Sequence, residues 1–100
     1  RRFDVIVGIS YDDDIKKAKE LADETLEEAS TVEEQPEPQV VVDQLDGSSV
    51  NLKLRGWTDN RKANIVKGGS EVTQLIKEKY DDAGIDIPYP IRTVYMNEGE

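Results

Sequence analysis

Apolar residues alternate along Phe3-Asp4-Val5-Ile6-Val7-Gly8-Ile9, with Phe3, Val5, Val7 and Ile9 on one side. That period of two predicts a first strand. After Tyr11-Asp12-Asp13-Asp14 the period changes, and Ile15, Ala18, Leu21 or Ala22, Leu26 and Ala29 form a helical stripe. One aspartate can cap the helix while the others offset its dipole. Val40 to Leu45 reads as a second strand, Asp46-Gly47-Ser48-Ser49 as a hairpin turn, and Val50 to Trp57 as a third strand. In that third strand Val50, Leu52, Leu54 and Gly56 face one way, and Asn51, Lys53, Arg55 and Trp57 the other.

A second helix opens at "TDNRKAN", with Thr58 or Asp59 as its cap, and carries Ile65, Val72, Leu75 or Ile76, Tyr80 and Ala83 as its stripe. Gly68-Gly69 weakens it by about 1 kcal/mol per glycine relative to alanine, and lets another backbone come close. Gly84 stands where a C-cap glycine belongs. A last β-like run, Ile91 to Met96, follows Pro88-Tyr89-Pro90. The order β-α-β-β-α-β predicts an α+β, ferredoxin-like sandwich: an antiparallel sheet with two helices on one face. Ser30 to Gln39 is a polar, proline-containing loop.

The expected organisation is a ferredoxin-like domain over residues 1–90 and a strand with its tail over 91–100. Pro88 and Pro90 fix φ near about −65° and disfavour helix before each of them, so the strand leaves in a set direction. Taken alone, it can pair with the first strand, pair with another chain, or project as an exposed edge.

One hundred residues, 36% of them apolar, suffice for one modest core. No apolar run approaches the roughly 20 residues of a membrane helix, and no signal-peptide pattern is present. The chain opens Arg1-Arg2-Phe3 without an initiator methionine, so it is expected to be a piece of a longer protein. With no cysteine and no histidine, disulfides, thiolate nucleophiles, imidazole bases and the usual zinc ligands are excluded. A net charge of −9 argues against nucleic acid or an anionic membrane surface as partner. It suits a cation-rich or high-salt cytoplasm. Within the first helix, Glu20 and Glu24, Asp23 and Glu27, and Glu24 and Glu28 are like charges four apart. Such a helix depends on docking its apolar stripe.

Candidate chemistry is sparse. Asp12-Asp13-Asp14 lacks the alternating spacing and glycine of a calcium loop and reads as a cap. Gly47-Ser48-Ser49 reads as a turn rather than a phosphate nest, and Gly68-Gly69 does not follow a strand as a dinucleotide loop would. Trp57, with Lys53 and Arg55 on the same strand face, is either a packed strand end or a contact surface for another subunit. Ile6, on the corresponding face of strand one, favours the contact. No nucleophile, base and oxyanion donors converge, so the expectation is a non-enzyme without cofactor or metal.

"VGISYDDDIKKAKELADE", "LDGSSVNLKLRGWT" and "IKEKYDDAGIDIPYPIRTVYM" together resemble the C-terminal α/β domain of the small-conductance mechanosensitive channel (MscS-type) family. The most specific part is Ala83-Gly84-Ile85 followed by Pro88-Tyr89-Pro90. The resemblance implies a homoheptameric membrane channel, opened by bilayer tension in hypo-osmotic shock, whose copies of this domain form a cytoplasmic cage with portals for ions and small osmolytes. It implies that the strand after Pro90 leaves its own domain toward neighbouring subunits. It carries no catalytic residue, and the acidic loop with Glu33, Glu34 and Glu37 would bias portals toward cations. The subunit-contact candidates are Ile6, Lys53, Arg55, Trp57, Pro88, Tyr89, Pro90, Ile91, Val94 and Met96. The isolated domain is expected to be a monomer or weak oligomer. Two other classes stand beside this one: a ferredoxin-like module binding a small ligand at the first strand–helix loop, and an acylphosphatase-like enzyme. The enzyme would need an arginine-bearing phosphate loop where Asp12-Asp13-Asp14 stands.

Overall fold

A computed structural model of the chain describes residues 1–43 and 49–96. The elements are β1 (Arg2–Ser10), α1 (Ile15–Glu28), β2 (Gln39–Asp43), β3 (Ser49–Trp57), α2 (Lys62–Ala83) and β4 (Arg92–Met96). They form one four-stranded sheet in the order β2-β3-β1-β4, every neighbouring pair antiparallel. This is the predicted ferredoxin-like architecture. Residues 44–48, on which most of the predicted hairpin turn and the end of the predicted second strand fall, lie outside the described residues.

The alternation read in β1 and β3 sets the layers. Val5 pairs with Leu54, Val7 with Leu52 and Ile9 with Val50, so these side chains share the face covered by the helices. Val40 and Val42 of β2 join it through Leu54 and Leu52. Against that face α1 buries Ala18, Leu21, Ala22, Thr25 and Leu26, while α2 buries Ile65, Val72, Ile76 and Tyr80. Each aliphatic side chain so buried contributes about 1.5–3 kcal/mol. Thr25 was not in the predicted stripe. It fits because its hydroxyl donates to the Leu21 carbonyl at 2.8 Å, one turn back.

The helix ends follow local chemistry. Asp14 caps α1, its carboxylate accepting from the Lys17 N–H at 3.0 Å. Gly84 closes α2 in the left-handed region at φ 74°, and the Ile85 N–H reaches back to the Tyr80 carbonyl at 2.9 Å. That turn tucks Ile85 into the core, so the predicted Ala83 is exposed instead. The predicted cap of α2 is also corrected. The N-cap position is Arg61, which makes no side-chain capping bond. Asp59 acts from two residues upstream, accepting from the Arg61 N–H at 3.0 Å and from the Asn64 amide at 2.9 Å.

The last strand does not project in this chain. β4 lies beside β1, with Phe3 opposite Tyr95, Val5 opposite Thr93 and Ile6 opposite Arg92. The physical reason is visible in α2. A Cβ on Gly69 would stand 3.0 Å from Thr93 Cγ2 and 3.2 Å from the Tyr95 hydroxyl. The predicted close approach at Gly68-Gly69 is therefore a seat for side chains, those of β4 among them, and β4 occupies the edge that β1 would otherwise leave unpaired.

Candidate functional site

The face of the sheet away from the helices is built by the opposite parity of the same strands. Cross-strand rows run Trp57–Arg2–Met96, Arg55–Asp4–Val94 and Lys53–Ile6–Arg92, with Asn51 beside Gly8 at the end. Among the described residues no helix covers these rows, yet β1 is buried from Phe3 to Ile9. Its outward side chains are covered by their neighbours.

Asp4 is the sharpest case, a carboxylate only 4% exposed. Arg55 holds it with both ends of the guanidinium, Nε to Oδ1 at 3.2 Å and Nη2 to Oδ2 at 3.4 Å. Arg2 adds a third cationic contact, its Nε 3.5 Å from the same Oδ1. A buried charge needs such pairing, and the fork geometry supplies it. Lys53 leans toward Asp43 of β2 at 3.7 Å. Arg92 has no ion-pair partner among the described residues.

At the other end Tyr89 folds back over the sheet. A Cβ on Gly8 would lie 3.3 Å from Tyr89 Cδ2 and 3.1 Å from Asn51 Oδ1, so the ring rests where Gly8 has no side chain. Ile6, Gly8, Asn51, Tyr89, Pro90 and Arg92 together line a groove of about 330 Å³. Tyr89 remains 51% exposed, an aromatic ring lying open at the rim.

Of the residues named from sequence, the structure gathers Ile6, Lys53, Arg55, Trp57, Val94 and Met96 on this one face, with Tyr89 and Pro90 at its border. Ile91 points the other way and packs against the core. Pro88 is exposed in the loop and joins neither. Trp57 is partly buried at the end of β3, where its carbonyl accepts from the Glu33 N–H at 2.8 Å. Sequence reasoning missed Asp4, Gly8 and Arg92. The signal for Asp4 was its parity, since it shares a strand face with Ile6.

The face offers packing and charge, with no nucleophile–base pair among the residues described above. Comparison with known proteins settles the family. Residues 3–87 match the family model described as "Mechanosensitive ion channel MscS, C-terminal". The chain belongs to the MscS family of mechanosensitive channels. An MscS family protein of Archaeoglobus fulgidus is 41% identical over 96 residues, covering 96% of this chain and 33% of that protein. One from Synechocystis is 31% identical over 100 residues, again 33% of its length. A small-conductance mechanosensitive channel of Edwardsiella ictaluri is 26% identical over 96 residues. The MscS domain described here thus spans about a third of the length of these relatives. A de novo designed protein, Foldit4, superposes with a TM-score of 0.52 at 17% identity, over 97% of this chain and all of the other, which speaks to the fold alone. Among the described residues, no helix of the MscS domain is long and apolar enough to cross a membrane.

Proposed function

We propose that this MscS domain is the cytoplasmic cage domain of a homoheptameric, tension-gated channel that opens in hypo-osmotic shock, and that it serves subunit assembly and solute filtering, not catalysis. Its partners are other copies of the same subunit and the ions and small osmolytes that pass the cage. The observation that carries the assembly role is the uncovered sheet face. It has apolar side chains at Ile6, Val94 and Met96, an aromatic at each end in Trp57 and Tyr89, and four basic residues between them. Aromatics and arginines mixed with exposed apolar side chains are the composition of a contact surface.

The test uses the channel polypeptide that carries this domain, expressed in cells lacking their own tension-gated channels. Val94→Glu places a charge on the contact face without touching the helix-side core. The expected result is loss of hypo-osmotic survival and of assembled channel, with the circular dichroism of the isolated domain unchanged. Full survival and assembly in that variant would refute the assembly role. For the isolated domain, sedimentation at several concentrations should give a monomer or weak oligomer. A tight heptamer at micromolar concentration would overturn that expectation.

A second reading, the small-ligand module, gains from two observations: β4 pairs inside its own sheet, and the groove at Gly8 lies next to the first strand–helix loop. Saturable shifts of the Gly8 and Asn51 amide resonances with a small solute would favour it.

A further inference from the structure

The groove over Gly8 has walls of distinct chemistry. Ile6 and Gly8 of β1 form one side, Asn51 of β3 stands beside Gly8, and Tyr89 with Pro90 borders them. Arg92 completes the lining, because β4 pairs with β1 and sets Arg92 opposite Ile6. At about 330 Å³ the groove lies at the lower end of ligand pockets, which run from about 300 to 1,000 Å³, so its occupant is small. The Tyr89 ring touches the Gly8 position yet stays half exposed. It offers that occupant a flat apolar surface.

Charge decides what the occupant is. The sheet face carries four cations, and three are taken: Arg2 and Arg55 by Asp4, and Lys53 by Asp43. Arg92 has no ion-pair partner among the described residues. A guanidinium meets a carboxylate with two parallel N–H groups, and one positive charge matches one negative charge. A dianionic phosphate would be only half neutralised there, in a chain of net charge −9. Asn51 adds an amide whose NH₂ group can donate to the same anion. A second groove that also borders Tyr89 and Pro90 has the wrong sign. It is lined by Asp81, Asp86 and Lys77, and Asp81 already holds Lys77 at 3.2 Å.

We propose that the groove over Gly8 binds a small organic monocarboxylate with a flat apolar body. Arg92 takes the carboxylate, with Asn51 beside it, and Tyr89, Pro90 and Ile6 take the body. The proposal rests on the small-ligand reading given above and names the class of ligand. Because Arg92 belongs to β4, the site is complete only while β4 is paired with β1. A ligand that binds this paired form preferentially holds β4 in place.

The test titrates the 100-residue domain with benzoate, with its neutral isostere benzamide, and with phenyl phosphate as the dianionic counterpart. Benzoate should shift the Gly8, Asn51 and Arg92 amide resonances saturably and slow hydrogen exchange at Thr93 and Tyr95. Benzamide should bind at least about tenfold more weakly, and so should benzoate to the Arg92→Gln variant. Arg92 is exposed and unpaired, so that variant keeps the fold. Asn51→Asp sets the ligand's own sign beside Gly8 and should weaken benzoate independently. Equal binding of benzoate and benzamide would overturn the carboxylate class and leave the small-ligand reading standing. Tighter binding of phenyl phosphate than of benzoate, or a benzoate affinity unchanged by Arg92→Gln, would do the same. Bound benzoate that leaves exchange at Thr93 and Tyr95 unchanged would overturn the part assigned to β4. No saturable shift at these amides with any of the three probes would overturn both the proposal and the reading beneath it.

Discussion

Asp4 of β1 and Arg55 of β3 are direct cross-strand partners, and the guanidinium grips both carboxylate oxygens, at 3.2 and 3.4 Å. The carboxylate is almost fully buried, so its stability depends on that grip and on Arg2 behind it. Arg55→Met leaves the charge in place with half its partners gone, and should destabilise the domain by about 2–3 kcal/mol in urea unfolding. Adding Asp4→Leu removes the stranded charge and should restore most of the loss. A single variant as stable as the parent would show that the pair is not holding the strands.

Gly69 is tested by the strand it accommodates. Alanine there gains about 1 kcal/mol of helix propensity, but its Cβ would press on Thr93 and Tyr95 of β4. Gly69→Val should therefore loosen β4 selectively. Hydrogen exchange of the Thr93 and Tyr95 amides should speed up by at least about tenfold, corresponding to about 1.4 kcal/mol, while β3 amides change little. Uniform acceleration across the sheet would mean that Gly69 supports the whole core.

Much of this fold was legible because its signals are local. The alternations in β1 and β3, the Asp14 cap and the Gly84 stop are each written within a few residues. What was not legible depends on register or on distant partners. Asp4 could be placed on the Ile6 face, but its partner followed only once β1 was set against β3, and a one-residue slip would have changed it. The seat for β4 pairs Gly69 with Tyr95, which no period in the sequence connects. Asp59 looked like a cap by position, yet it works through Arg61 and Asn64 from outside the helix.

Two carboxyl groups should set the acid limit. Partial burial pushes Glu71 up, but hydrogen bonds from the Thr31 N–H at 3.0 Å and from the Ser30 hydroxyl and N–H at 2.9 and 3.1 Å prevail and hold it below its ordinary 4.5. The Arg61 side chain and N–H, with Asn64, hold Asp59 down at about 2 from 3.8. Both values are depressed by folding, so both groups stabilise the domain above their ordinary values and lose that contribution as the pH falls through the folded ones. The thermal midpoint should drop as pH falls below about 4.5 and on toward 2. Glu71→Gln should flatten the upper part of that fall and Asp59→Asn the lower. Superimposable profiles for parent and variants would assign the acid limit to other groups.

Salt should act in the opposite sense to the one expected of an ion-paired surface. The outer side of α1 sets Glu20 against Glu24, Asp23 against Glu27, and Glu24 against Glu28, each repulsion worth about 0.2–0.5 kcal/mol at low ionic strength. The compensation is thin: Lys19 holds Asp23, and Lys79 reaches across from α2 to Glu28 and Glu24. The hydrogen bond to Glu28 raises the Lys79 ammonium above its ordinary pKa, so the pair persists through the neutral range. Exposed pairs of this kind contribute little and are screened together with the repulsions. The screening length falls from about 10 Å at 0.1 M to about 3 Å at 1 M, and the chain carries a net −9. Repulsion is therefore the larger quantity removed, and the thermal midpoint of the isolated domain should rise from low to molar potassium chloride. Lys79→Gln should start lower and rise more steeply, because it lacks the cation that bridges the helices. A flat or falling midpoint in the parent would mean that the attractive pairs outweigh the acidic face, and that docking of the apolar stripe is not what holds α1.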